Sequence, residues 1–150
     1  MLALAPERAG GSDNERSVTL RLRYGPTVVL LPGDIEASGE RQLADALRPL
    51  LRSRVLKVPH HGSASSSSAP FLDAVAPQLA VVSVGSGRRF GLPQASVMEA
   101  YRAREVSVLR TDQDGAVILD IGADGTIRVT RGRREQPPQA RSTVSAVSFS

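Results

Sequence analysis

The order of apolar and polar residues along the chain predicts several β-strands. Residues 17–24 alternate between an apolar and a polar face, which predicts a strand with one solvated side. Stretches that are apolar at most positions are typical of strands buried on both faces, and they occupy residues 27–31, 55–58 and 79–84. Further strands are predicted at residues 106–109 and at residues 116–121 and 126–130, which form a hairpin over a Gly-Ala-Asp-Gly turn.

Apolar residues at helical spacing lie between these strands. Residues 40–51 carry four leucines on one helical face, namely Leu43, Leu47, Leu50 and Leu51. Pro49 interrupts this stretch, so the helix is expected to stop or kink before it. A short helix is predicted from Ser68 to residue 75, and another over residues 94–103.

Strands and helices therefore alternate through the middle of the chain, with hairpins at both ends. This order predicts an α/β fold with a mixed β-sheet carrying flanking helices. Residues 1–16 look like an irregular lead-in, and residues 131–150 are rich in Arg, Gln, Pro and Ser, which is typical of a disordered basic tail. We expect one folded unit over residues 1–130.

Composition narrows the class of protein. With 150 residues, 41% of them hydrophobic, the chain is long enough to bury a core. The absence of cysteine excludes disulfides and thiolate metal sites. No apolar run approaches the roughly 18 residues that a membrane span needs, and the opening MLALAPERAGG lacks the pattern of a signal peptide.

The charge is basic and consists almost entirely of arginine. The net charge is +4, the isoelectric point is about 10.6, and Lys57 is the only lysine. This balance suits a nucleic-acid partner such as DNA. Part of the excess lies in arginines in or near the tail, where simple solvation explains it equally well.

Asp34 is the first candidate site residue. It follows the buried stretch 27–31 in the sequence TVVLLPGDIE, where Gly33 allows a sharp turn of the backbone. A carboxylate at the end of a buried strand needs a partner or a cation, and such a carboxylate can bridge two metal ions in a hydrolytic site. The alternative is an aspartate that caps a helix or a turn.

His60 and His61, the only two histidines, follow the next buried stretch in VLKVPHHGS. Imidazole is a common ligand for zinc, and Gly62 leaves room for a ligand to approach. Adjacent residues of an extended segment point in opposite directions, so one ring could bind metal while the other contacts substrate or a neighbouring ligand. The alternative is two surface histidines in a serine-rich loop.

Two further loops are candidates for substrate binding. Residues 63–68 are serine-rich and could hold a phosphate through hydroxyl groups, Ser63 and Ser66 among them, and through the start of the following helix. A serine nucleophile is disfavoured because no Gly-x-Ser-x-Gly motif is present. Arg88 and Arg89, in the glycine-bearing loop 85–91, could contact phosphate or could simply be solvated.

Taken in order, these motifs resemble one protein family. The stretches are NERSV from Asn14, LPGDIE from Leu31, LKVPHHGS from Leu56, SVG from Ser83 and LRTDQDG from Leu109. Together they are similar to the later half of the C-terminal metallo-β-lactamase-like domain of the DNA-internalisation competence proteins of the ComEC family. The similarity runs from about Leu2 to about Ile121.

The resemblance implies a partial αββα metallohydrolase fold, a nuclease activity and two bound metal ions, zinc or manganese. It implies that Asp34 is the bridging carboxylate and that the histidine pair supplies a late metal ligand, without saying which ring does so. It further implies a parent protein in the bacterial cell membrane, with this domain on the extracytoplasmic side of a channel for single-stranded DNA.

This sequence departs from the family pattern in two respects. The family's histidine-rich opening metal cluster has no counterpart in these 150 residues. Arg88 and Leu92 also stand where the family has asparagine and histidine, and leucine cannot bind metal or move a proton. We therefore expect a metallohydrolase portion that is inactive alone, and we expect the uncovered face of a half-fold to favour a homo-oligomer. The alternatives are a non-enzymatic DNA-binding module and a phosphodiesterase completed by a partner chain.

Overall fold

The computed structural model describes residues 1–4, 13–85, 91–132 and 144–147. Within them the chain forms a mixed six-stranded sheet and a three-stranded antiparallel sheet with flanking helices, which confirms the predicted α/β class. The larger sheet contains β1 (Leu2–Leu4), β2 (Thr19–Tyr24), β3 (Thr27–Leu31), β4 (Val55–Lys57), β5 (Leu79–Val82) and β6 (Ser107–Arg110). The smaller sheet contains β7 (Ala116–Ile121), β8 (Ile127–Gly132) and β9 (Val144–Val147).

Strand order in the larger sheet follows chain order. The first three strands pair antiparallel, and β3, β4, β5 and β6 pair parallel to one another. Parallel neighbours need a crossover connection. Helices lie in these crossovers: α1 (Ala37–Leu51), α2 (Ala69–Val75) and α3 (Ala95–Arg102). A single turn of helix, α4 (Thr111–Asp114), follows β6.

Each face of the larger sheet buries its own apolar cluster. On one face Leu30, Leu56 and Ala80 pack with residues from all three crossover helices, including Phe71 and Tyr101. On the other face apolar residues of the parallel strands meet the smaller sheet. This second cluster contains Val55, Leu79, Leu109, Ile127 and Val129. In the described part of the chain, both faces of the larger sheet are therefore covered, and the expected homo-oligomer remains a prediction.

Helix α1 confirms the interruption expected at Pro49 but corrects one of its apolar positions. The helix starts at Ala37, and its regular backbone breaks at Leu47, where φ is −130°. Leu43 and Leu51 are buried, as predicted, whereas Leu50 is 37% exposed. The break changes the angular phase of the last turn, so Leu50 no longer shares the face of Leu43.

Both ends of the chain carry strands that the sequence pattern did not predict. In the expected irregular lead-in, β1 pairs with β2, and Asp13–Arg16 forms a turn of 3-10 helix. In the expected disordered tail, β8 continues to Gly132, and β9 adds to it as the third strand of the smaller sheet. These short edge strands form through main-chain pairing with a neighbour, which leaves little trace in side-chain periodicity. Residues 133–143 and 148–150 lie outside the described residues.

No helix among the described residues has both the length and the apolar character required to cross a bilayer.

Candidate functional site

The predicted site residues meet at the carboxyl ends of the parallel strands. Asp34 lies just after β3, the two histidines just after β4, and Ser83 just after β5. A main-chain hydrogen bond from the His60 N–H to the Gly33 carbonyl, 3.2 Å long, joins the first two loops. Ligand sites of open α/β sheets are commonly built at this edge.

The histidine loop is a left-handed turn. His60, His61 and Gly62 have φ values of 45°, 54° and 83°, so three consecutive residues occupy the region that favours glycine. For the two histidines this conformation costs about 1–2 kcal/mol each. Hydrogen bonds hold the turn: the Ser63 N–H donates to the His60 carbonyl and the Gln94 N–H to the Gly62 carbonyl, each at 2.9 Å. Backbone strain fixed by surrounding structure is a feature of binding and catalytic sites.

The turn directs His61 toward Asp34. The Nδ1 atom of His61 lies 2.6 Å from the carbonyl oxygen of Ser83, and since a carbonyl only accepts, Nδ1 carries the proton. In the neutral ring the lone pair is then on Nε2, which lies 3.7 Å from Oδ1 of Asp34. This distance is long for a hydrogen bond. It is close to the roughly 3.4 Å that separates two ligands bound about 2.1 Å from one tetrahedral ion.

His60 contacts Glu36 and Ser65. Its Nδ1 atom lies 3.4 Å from Oε1 of Glu36 and 3.4 Å from Oγ of Ser65, and that hydroxyl also donates to Glu36 at 3.2 Å. The two adjacent rings thus have different surroundings, although they lie in a left-handed turn and not in the extended segment that the sequence analysis assumed. The structure places His61, rather than His60, beside Asp34, which the sequence left open.

Two residues that the sequence analysis did not select support Asp34 and His60. Ser17 accepts a hydrogen bond from the Asp34 N–H through its hydroxyl, at 3.1 Å, and so fixes the backbone of the Asp34 loop. Glu36 is the acidic neighbour of His60. Its place in the LPGDIE stretch, close to Asp34 in sequence, was the available signal.

Lys57, at the end of β4, is a basic residue whose pKa is affected by the charge of Asp34. Partial burial lowers the pKa of the Lys57 ammonium, and the negative charge of Asp34 acts in the opposite direction. The ammonium donates to the Val58 carbonyl at 3.2 Å. Lys57 therefore brings positive charge to the strand end where Asp34 lies.

The serine loop differs from the predicted phosphate cradle. Backbone N–H groups of Ser67 and Ser68, at the start of α2, donate to the carboxylate of Glu40 at 2.5 and 2.8 Å. Burial raises the pKa of Glu40 above its ordinary value, and these hydrogen bonds oppose the rise. The anion position at this helix start is therefore already occupied by a side chain of α1.

The proposed substrate contacts in this region have different surroundings. Ser66 is buried, and its hydroxyl donates to the carbonyls of Pro59 and Ser63, so it holds the loop together. The hydroxyl of Ser63 is at the surface beside that of Ser65, 3.1 Å away, and faces the His60 side of the site. Arg88 and Arg89 lie outside the described residues.

The described residues bring two potential donor side chains together at this strand edge. Asp34 and His61 converge, but no group of three or more histidine, aspartate or glutamate side chains able to hold a metal ion occurs in the described part of the chain. Catalytic zinc sites use three protein ligands. The arrangement therefore offers two donors, one carboxylate and one correctly oriented imidazole.

The sequence of the chain is similar to those of several bacterial proteins. No protein-family model matches the chain. It is 39% identical over 119 residues to competence protein ComA of Neisseria gonorrhoeae, a match that covers 79% of this chain and 17% of that protein. It is 34% identical over 113 residues to ComE operon protein 3 of Bacillus subtilis and 35% identical over 113 residues to recombination protein 2 of Haemophilus influenzae. Those two matches each cover 75% of this chain and 14% of the relative, so the chain spans about one sixth of the relatives' length.

Proposed function

We propose that this chain, a relative of bacterial competence proteins, is part of a ComEC-type protein that acts in DNA uptake and contributes to a metal-dependent phosphodiesterase site. The observation that carries the proposal is the pairing of His61 Nε2 with Asp34 Oδ1 at 3.7 Å, while the Nδ1–H of His61 donates a hydrogen bond to the Ser83 carbonyl. The names of the relatives supply the link to competence. DNA as the substrate, the remainder of a membrane channel protein as partner and a position on the extracytoplasmic side of the bacterial membrane belong to the same proposal.

The donor set suits a divalent transition metal. Neutral imidazole and carboxylate bind zinc, and both are also acceptable to manganese. The hydrogen bond from His61 Nδ1 to a carbonyl is the usual way in which a protein fixes the tautomer and ring orientation of a metal-binding histidine. When bound, such an ion would polarise a phosphodiester and lower the pKa of a water molecule.

Each residue then has a distinct task. Asp34 and His61 hold the metal, Ser17 holds the backbone of Asp34, and the Ser83 carbonyl orients His61. His60, bound to Glu36 and Ser65, lies next to this centre and is positioned to exchange a proton or to contact substrate. Two donors are fewer than a catalytic metal centre uses. We therefore propose that further ligands come from other residues of a longer protein or from a partner chain, and that these 150 residues alone do not cleave DNA.

The proposal predicts that metal binding depends on His61 and not on His60. Replacing His61 by asparagine removes the Nε2 donor while keeping a residue that tolerates left-handed backbone. We expect the H61N and D34N variants to lose more than about tenfold in zinc affinity, since even the loss of an outer hydrogen-bonding partner costs that much. The measurement is calorimetric titration of the purified chain with zinc and, separately, with manganese.

The H60N variant is the matched control, because it makes the same change at a neighbouring residue of the same turn. We expect its zinc affinity to stay within about threefold of the unmodified chain, which is less than the loss of an outer partner. Equal losses in H60N and H61N would show that the loop, and not the Asp34–His61 pair, holds the metal. No measurable binding of either metal would remove the metal site from the proposal.

A further inference from the structure

A basic cleft lies at the opposite end of the larger sheet from Asp34 and His61. It is formed where the parallel strands begin, beside Val28 of β3, Arg54 just before β4 and Gln78 just before β5. Its volume is about 570 Å3, within the 300–1,000 Å3 range of small-molecule sites. The two sites are thus separated by the length of the sheet and share no residue.

Three arginines and no acidic residue line this cleft, namely Arg21, Arg52 and Arg54. Neither Arg21 nor Arg52 has a carboxylate partner within the described ranges. Other basic residues of the chain do pair with acids, for example Arg104 with Asp73 at 2.9 Å. The cleft therefore concentrates positive charge that neighbouring side chains of its lining do not neutralise.

Hydrogen bonds to neutral groups hold two of the three guanidinium groups in place. Arg21 donates from Nε to the Leu50 carbonyl at 2.8 Å, beside the broken end of α1. Arg54 donates from Nε to Oε1 of Gln78 at 2.8 Å and from Nη1 to the Gly125 carbonyl at 2.7 Å. For Arg21, the neutral acceptor fixes the side chain and leaves its positive charge in place, so less conformational entropy is lost when an anion binds.

We propose that this cleft binds the phosphate groups of a single-stranded nucleic acid. Guanidinium groups match the geometry of phosphate oxygens. A cleft lined by several arginines suits a strand with successive phosphates better than it suits a ligand with one carboxylate. The choice of phosphate anions as the ligand class rests on the arginine lining of the cleft. The choice of a nucleic acid strand as their carrier rests on the proposed function, and the cleft would hold such a strand at a distance from the metal ligands.

The test compares arginines inside the cleft with arginines outside it. The cleft variant is R21Q/R52Q, and the control variant is R23Q/R41Q, which loses the same charge from exposed positions that do not line the cleft. Arg23 also matches Arg21 in kind, since it lies on the same strand and donates from Nε to a backbone carbonyl, that of Gly25. R52Q alone serves as a second variant, because Arg52 is exposed and exposed substitutions usually change stability by less than about 0.5 kcal/mol.

Binding of a fluorescent single-stranded oligonucleotide to the full chain is measured by anisotropy, with chelator present and over a range of salt concentrations. We expect the dissociation constant of R21Q/R52Q to rise at least about fivefold, and the slope of log K against log salt to fall by about 1.4, which is two lost phosphate contacts on a single strand. The control should keep the slope of the unmodified chain to within about 0.7, one contact. The dissociation constant and the salt slope of R52Q should lie between those of the cleft variant and those of the control variant.

Equal effects of the cleft and control variants would overturn the proposal, since only the net charge would then matter. Binding that neither variant changes would also overturn it. Inorganic phosphate and thymidine monophosphate are tested as competitors: if either displaces the oligonucleotide as effectively as an unlabelled strand does, the site takes single phosphates and not a strand. Because chelator removes metal, failure here leaves the zinc titration of the Asp34–His61 site unaffected, and the reverse also holds.

Discussion

Replacing Gly62 by alanine should lower the free energy of unfolding by about 3 kcal/mol and distort the histidine turn. Gly62 has a φ of +83°, and a Cβ atom added there would lie 2.5 Å from Cβ and 3.2 Å from Cα of Pro93. The left-handed backbone costs an alanine about 1–2 kcal/mol, and forcing an extra carbon into packed surroundings costs typically 1–3 kcal/mol. A proline ring cannot rotate away, so the turn or the Pro93 segment has to move. Chemical denaturation followed by circular dichroism measures the loss.

Gly91 provides a matched control for this change. It also has a positive φ, +60°, but its nearest neighbour to an added Cβ is the flexible end of Gln94 at 3.7 Å. The G91A variant should therefore lose only the backbone contribution, about 1–2 kcal/mol. The difference between G62A and G91A isolates the contact with Pro93. If the two variants lose the same free energy, the close approach between the histidine turn and Pro93 does not constrain the loop.

Replacing Glu40 by glutamine should lower the free energy of unfolding by about 2–3 kcal/mol, although the two side chains have nearly the same shape. Glu40 is 0% exposed, and each of its carboxylate oxygens accepts a backbone N–H, one from Ser67 and one from Ser68. Glutamine has one oxygen and one NH2 group, so one backbone N–H would face another donor. A buried N–H left without an acceptor costs about 1–3 kcal/mol, and hydrogen bonds to charged groups are worth about 1.5–3 kcal/mol. The melting temperature should fall by about 5–10 °C.

The same substitution should change how stability depends on pH. Burial raises the folded-state pKa of Glu40 above its ordinary value of 4.5, and the nearby negative charge of Glu15 adds to the rise. Between pH 4.5 and the folded-state pKa, the folded chain keeps a proton that the unfolded chain releases. The contribution of Glu40 to stability is therefore greatest below pH 4.5 and decreases as the pH rises through its folded-state pKa. This decrease should be absent from E40Q.

Thermal denaturation of the unmodified chain and of E40Q gives their melting temperatures. Urea denaturation of both, repeated at several pH values from about 4.5 to about 8, gives the free energy of unfolding and its pH dependence. The E99Q variant is the control, because the Glu99 side chain is 63% accessible and pairs with Arg102 at the surface. Its melting temperature should change by less than about 2 °C, as is usual for exposed pairs. An E40Q variant as stable as the unmodified chain at pH 7 would mean that Glu40 does not hold the serine loop to α1.

The strand-end residues could be predicted from the sequence because they follow a strong local signal. Buried apolar stretches followed by Gly-Asp or Pro-His-His-Gly fix where a parallel strand ends, and Asp34, His60 and His61 all lie at that edge of the sheet. The α/β class follows from the same alternation of strands and helices. Such signals involve a few neighbouring residues, so they do not require knowledge of the tertiary structure.

What could not be predicted depends on contacts between distant segments. The direction of each histidine ring is set by three left-handed residues and by carbonyls of Gly33 and Ser83, which lie far away in sequence. The serine loop looked available for phosphate because its occupant, Glu40, reaches it from another helix. β1 and β9 form by pairing with neighbours, and their own three or four residues carry no distinct pattern.

The strands of the larger sheet follow one another in chain order. This order limits when each apolar face of the sheet can be covered as the chain folds. Each strand from β2 to β6 adds beside the one synthesised before it, and the crossover helices pack on the same face, so the sheet can grow strand by strand as the chain emerges. The β7–β8 hairpin has a different requirement, because Ile127 and Val129 pack against Val55, Leu79 and Leu109 of three separate strands. Its docking surface exists only after β6 has joined the sheet. We therefore expect the hairpin to dock late, so that one apolar face of the sheet stays exposed to solvent until it does.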